Sequence, residues 1–189
     1  MKKLIFTLFV ATICSSAFAQ NYSVPAVSPR QKVEHQFSIS NVSVDYSRPA
    51  VNGRKVFGDL VPFGDVWRAG ANSSTKITFG QNVKFGSESI AAGTYSMFIV
   101  PQAKEWRIIL NKDTQSWGAY SYNETLNVLD ITVPTEKLKS KIEYLEMVFM
   151  PTTDGKLNLA IAWDFTKVII PIAEENPEVI AKMINKLKE

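Results

Sequence analysis

The chain has 189 residues, enough for one domain with a sizeable core but crowded for two. Its 46% hydrophobic and 21% charged residues exclude the disordered class, and a formal charge of only +3 gives no general attraction for nucleic acid or an anionic membrane. A single Cys and a single His remove most thiol, disulfide and transition-metal chemistry.

Met1-Lys2-Lys3 followed by the apolar run Leu4–Ile13 and by Ala17-Phe18-Ala19 reads as a secretory signal peptide over residues 1–19, with cleavage after Ala19 leaving Gln20 first. An apolar run of ten residues is too short to cross a bilayer, so no transmembrane segment is expected once the signal is removed. Cys14 offers a lipid-anchor alternative, disfavoured by the bulky Ile13 before it. The expected product is periplasmic or secreted, lacks cysteine, and has 19 basic against 18 acidic residues. Residues 20–32, with Pro25, Ser28 and Pro29, read as an extended leader.

Structure is expected from about Val33. Period-2 apolar runs then recur: Val42, Val44 and Tyr46; Ile77 and Phe79; Val83 and Phe85; Trp106, Ile108 and Leu110; Leu129, Ile131 and Val133; Leu145, Met147 and Phe149; Leu157, Leu159, Ile161 and Trp163. Tyr95–Val100 is apolar on both faces, as a central strand stopped by Pro101 would be. Asp154-Gly155 joins the last two runs as a hairpin over Leu145–Trp163, and Asn52-Gly53 is a second turn pair. Nine or ten short strands without an intervening helix predict an all-β domain over residues 33–172, an antiparallel β-sandwich or jelly roll. Residues 173–189 change period: Asn176 is a candidate cap, Pro177 suits the first turn, and Val179, Ile180, Met183, Ile184 and Leu187 form the apolar stripe of a C-terminal helix. That stripe admits a protein-interaction role, which burial against the chain's own sheet would remove.

Residues 46–72 hold three of the five arginines, Arg48, Arg54 and Arg68, among Gly, Pro and aromatic residues. Loops of this kind on a rigid sandwich are where sites sit, and guanidinium forks beside Trp67 and Asn72 suit a small anionic or carbohydrate-like ligand. The competing reading is scaffold, with the arginines paired to Asp45, Asp59 and Asp65. Further on, Asn111-Lys112-Asp113 and Trp117-Gly118-Ala119-Tyr120 offer Trp117 and Tyr120 as platforms for a sugar ring, with Asn and Asp for its hydroxyls. Trp106, in phase with Ile108 and Leu110, belongs to the core instead.

Tyr46-Ser47-Arg48-Pro49, Gly53-Arg54, Phe57-Gly58, Leu60-Val61-Pro62, Val66-Trp67-Arg68-Ala69-Gly70-Ala71-Asn72, Ala92-Gly93-Thr94-Tyr95 and Trp117-Gly118-Ala119-Tyr120 occur in order. In these the chain resembles the domain of unknown function family 2911, from about Ser28 to Ile172. The resemblance implies an exported, β-rich domain of Bacteroidetes-type bacteria and carries over no activity, ligand or catalytic residue.

The rest of the motif survey is negative. His35 sits in the polar strand-like stretch Glu34-His35-Gln36, where a solvent-facing position is expected. No phosphate-binding loop, dinucleotide fingerprint, calcium loop or zinc spacing occurs, so no cofactor and no metal are expected. A metal-independent glycan hydrolase or lyase would need two carboxylates among Asp59, Asp65, Glu105 and Asp113. A non-catalytic binding protein is the favoured reading; oligomeric state is not legible.

Overall fold

The alternation seen in the sequence decides which side chains go inside. In the computed structural model of the chain, which describes residues 24–188, the strands are β1 (Arg30–Phe37), β2 (Ser40–Ser47), β3 (Thr75–Phe79), β4 (Val83–Phe85), β5 (Glu88–Ile90), β6 (Gly93–Pro101), β7 (Glu105–Asn111), β8 (Asn127–Pro151) and β9 (Leu157–Glu174). They form one antiparallel sheet in the order β1-β2-β3-β6-β7-β8-β9-β4-β5. One helix, α1 (Pro177–Leu187), follows. The fold is all-β with a single C-terminal helix. The signal segment and the Gln20 terminus lie outside the described residues.

The sheet folds over on itself because two strands are long enough to serve both halves. Residues 127–134 of β8 pair with β7, and residues 135–151 pair with β9. Register shifts between Lys137 and Ile142 and between Ile142 and Glu146 bend the strand there, as bulges do. The two halves of the sheet then face each other: Phe79 of β3 meets Phe85 of β4 with ring centroids 5.5 Å apart. Val44, Ile77, Met97, Ile108, Leu129, Met147, Ile161 and Ile170 pack into one core between the two halves. Beyond β2, Pro49–Val51 leaves the first half and pairs with the edge of β8: Leu145 N donates to Pro49 O (3.0 Å) and Val51 N to Glu143 O (2.7 Å).

An aromatic cluster fills the centre of this core. Trp67 stacks on Trp163 with centroids 5.8 Å apart, and Phe57 and Trp106 meet it edge-on. Trp67 is only 9% exposed and its Nε1 donates to Gly70 O (2.9 Å). The expectation that Trp67 walls a ligand pocket is therefore corrected: its ring faces inward because it is in strand-like pairing with Ile99, and the indole is worth more buried than exposed. Trp106 is core, as its phase with Ile108 requires.

Two boundaries differ from the sequence reading. Structure starts at Arg30, since the edge strand RQKVEHQF shows period 2 in burial although Val33 is its one aliphatic residue before Phe37. β9 runs on to Glu174, so the helix starts at Pro177, and Asn176 makes no side-chain cap bond. His35 is half-buried on the inward side of β1, its ring 6.4 Å from Phe149, rather than facing solvent. No residue of α1 is buried, so the sheet does not cover the stripe of Val179, Met183 and Leu187. Among the described residues no helix is long and apolar enough to cross a membrane.

The Asp154-Gly155 hairpin forms as the sequence predicts, with β8 and β9 paired from Pro151 and Leu157. Lys156 Nζ, 2.6 Å from the Asp154 carboxylate, and the Thr152 hydroxyl hold Asp154 down to a pKa of about 2. A depressed carboxylate stabilises the fold above its unfolded pKa, near 4, and that contribution is lost as pH falls toward 2. A side-chain NMR titration of Asp154 is expected to show a midpoint about two units below that of an unstructured peptide; equal midpoints would remove the turn network.

Candidate binding site

Residues 64–67 lie alongside β6: Gly64 N donates to Pro101 O (3.0 Å), and Trp67 and Ile99 exchange two backbone bonds of 2.8 Å. Residues 68–74 then leave this line as a tight loop before the chain re-enters the sheet as β3. Thr75 N donates to Arg68 O (3.2 Å) and Thr75 Oγ1 to Ala69 O (2.8 Å), pinching the loop at its base. Its turns need the left-handed region, which Ala69 (φ 53°) and Asn72 (φ 61°) adopt. Asn tolerates this well; Ala does so at about 1 kcal/mol, offset by the bonds at the loop base. Gly70 packs too close to Ser47 for a side chain, since a Cβ there would be 2.9 Å from Ser47 O.

Because Trp67 points inward, Arg68 points to the opposite, outer face. A second loop, residues 112–123, covers that face. Its Ala119 and Tyr122 pack on Phe98, Val100 and Ile109, and Ser73 bridges to Trp117, with Ser74 N donating to Ser116 O (3.3 Å). The two loops meet at Gly118, whose φ of +76° favours glycine. A Cβ there would lie 2.8 Å from Arg68 Nη1 and 3.1 Å from Tyr120 Cδ2. The absent side chain thus lets the guanidinium of Arg68 and the Tyr120 ring pack directly against the Gly118 backbone. Trp117 is 66% and Tyr120 92% exposed, both unusual for rings of their size.

Arg68 makes no ion pair among the described residues, and its Nε is buried without a hydrogen-bond partner. A buried guanidinium N–H left unpaired costs about 1–3 kcal/mol. Asn72, exposed and adjacent to the Ser73–Trp117 bridge, stands at the rim. Arg30, which the sequence reading did not single out, also reaches this rim: its Nη1 donates to Ser73 Oγ (3.4 Å) while its Nε pairs with Asp45 (2.7 Å).

The other predicted residues are elsewhere. Arg48 Nε donates to Leu145 O (3.0 Å), and its guanidinium carbon lies 5.9 Å from the Tyr144 ring centroid. Arg54 grips Val51 O (3.0 Å) and Ala50 O (2.7 Å). Both clamp the joint where Pro49–Val51 meets β8, so the three arginines do not converge. Neither pairs with Asp45, Asp59 or Asp65, so the ion-paired scaffold reading is not what the structure shows. Asn111 and Asp113 are turned inward to hold the covering loop. Asn111 Nδ2 donates to Asn123 O (2.9 Å) and Asn127 Oδ1 (2.8 Å), and its Oδ1 accepts from Asp113 N (2.9 Å). Ser116 Oγ (2.6 Å) and Gln115 N (2.9 Å) donate to Asp113, which holds that carboxyl below its ordinary value. Among the described residues no cluster of three His, Cys, Asp or Glu is placed to hold a metal.

The fold and site define an antiparallel β-sheet domain in which Arg68 lies where two outer-face loops meet. Residues 28–172 match the model of a protein family of unknown function, DUF2911, and the chain belongs to that family. No curated protein and no solved structure matches it.

Proposed function

We propose that this is an exported binding protein whose site at Arg68, Asn72, Trp117 and Tyr120 takes a small anionic, carbohydrate-like ligand, free or as part of an envelope component. The observation that carries the reading is Arg68: a cation with no counter-ion among the described residues, packed against Gly118 in the loop that carries the exposed Trp117 and Tyr120. Its fork suits a carboxylate or sulfate, and Trp117 and Tyr120 suit the apolar face of a sugar ring; one acidic saccharide satisfies both.

Gly118→Ala tests the placement of Arg68. The added methyl would lie 2.8 Å from Arg68 Nη1 and must displace the guanidinium, so affinity for an acidic saccharide such as galacturonate is expected to fall at least tenfold by calorimetry. Stability falls by only about 1–2 kcal/mol, the cost of a left-handed alanine. Unchanged affinity would place the ligand elsewhere. Export is tested by mass spectrometry of the envelope fraction, where the mature N-terminus is expected at Gln20; a cytoplasmic full-length chain or a lipid on Cys14 would contradict it.

A further inference from the structure

The folded sheet has a seam. β1 is an edge strand, and β8 beyond residues 143–145 has a free edge facing it. β1 is antiparallel to β2, and Pro49–Val51, the continuation of β2, is antiparallel to β8, so the two edges run in the same direction. Between them lies a cleft of about 240 Å³ floored by Tyr46, with Arg48 at the start of β1 and the His35–Phe149 ring contact towards its other end.

Both walls carry unused backbone groups. Arg48 N donates to Pro29 O (2.9 Å), which fixes the odd-numbered residues of β1 as those bonded to β2. The N–H and C=O groups of Lys32 and Glu34 therefore point away from β2. On β8 the odd-numbered residues face the seam: Leu145 N bonds Pro49 O, and Met147 N donates to the Tyr46 hydroxyl (2.9 Å). Met147 O and the backbone of Phe149 come next in this row and have no seam-side partner among the described residues. The Arg48 guanidinium uses Nε on Leu145 O and has no carboxylate within ion-pair distance among the described residues.

We propose that this seam binds the C-terminal end of an extended peptide, added as a short strand antiparallel to β1 with its terminal carboxylate on Arg48. Chain direction and charge agree on this occupant. A strand antiparallel to β1 ends where β1 begins, and Arg48 is there to receive a carboxylate; the parallel arrangement would set an ammonium against it. The cleft is small for a long strand and suits the last few residues. Glu146 also lines the cleft and makes no ion pair among the described residues, so it opposes additional negative charge on the peptide.

The test is a library of short peptides as free acids and as C-terminal amides, titrated into the full chain by fluorescence anisotropy. Free acids are expected to bind, with amidation weakening them about tenfold or more. Arg48→Met should remove that difference, Arg48→Lys should restore part of it, and Glu146→Gln should tighten free acids. Hydrogen exchange on the unaltered protein should show the Lys32, Glu34 and Phe149 amides slowing when a free acid binds. The absence of any binder, equal binding of acid and amide, or loss of binding in Arg68→Met but not in Arg48→Met would overturn the proposal. So would amides already protected in the free full chain, which would mean that its own N-terminal residues or a second copy occupy the seam.

Discussion

Trp67→Ala is expected to cost about 3–5 kcal/mol in a urea or thermal unfolding experiment, whereas Trp117→Ala should cost well under 1 kcal/mol. The two tryptophans sit in adjoining segments of the structure and differ in what they touch. Trp67 packs against Trp163, Trp106 and Phe57, and its indole N–H is satisfied by Gly70 O, so truncation leaves a void that a bend-limited core cannot fill. Trp117 projects into solvent, and its removal leaves no void in the core. Against a total stability of about 5–15 kcal/mol, the first change brings the domain near its unfolding threshold. Comparable losses for both would mean that Trp117 is scaffold.

The three arginines are expected to separate in the same assay. Arg48→Met and Arg54→Met each remove charged hydrogen bonds to backbone carbonyls at the joint between residues 49–51 and β8, at about 1.5–3 kcal/mol. Arg68→Met removes a cation that nothing in the described structure compensates. Its unfolding midpoint should stay within error or rise. Equal, large losses for all three would make the cluster structural and leave the outer-face site without its anchor.

How these residues divide was only partly legible in the sequence. β3, β6 and β7 could be read because their inward positions are filled by large apolar residues, such as Ile77, Met97 and Trp106. The start of β1 and the middle of β8 could not: RQKVEHQF and the stretch around Lys137–Lys141 are edge or bend segments, where polar side chains meet solvent and the backbone ladder alone keeps the chain extended. Arg48 and Arg68 look like one cluster in sequence but fall apart by strand parity. Tyr46 and Trp67 both point into the core; Arg48 shares the parity of Tyr46, and Arg68 opposes that of Trp67. Joining Arg68 to Trp117 and Tyr120 required the Ser73–Trp117 bridge, a contact across 44 positions that no local pattern announces. Gly118 carried the one readable hint, a glycine between large aromatics.

Calorimetric titration of galacturonate and of galactose into the wild type and Arg68→Met bears on the site most directly. The wild type should bind the acid at least tenfold more tightly than the neutral sugar, and Arg68→Met should abolish that preference while remaining folded. Equal affinities for the two sugars in the wild type, or an intact preference in Arg68→Met, would contradict an anion site at Arg68.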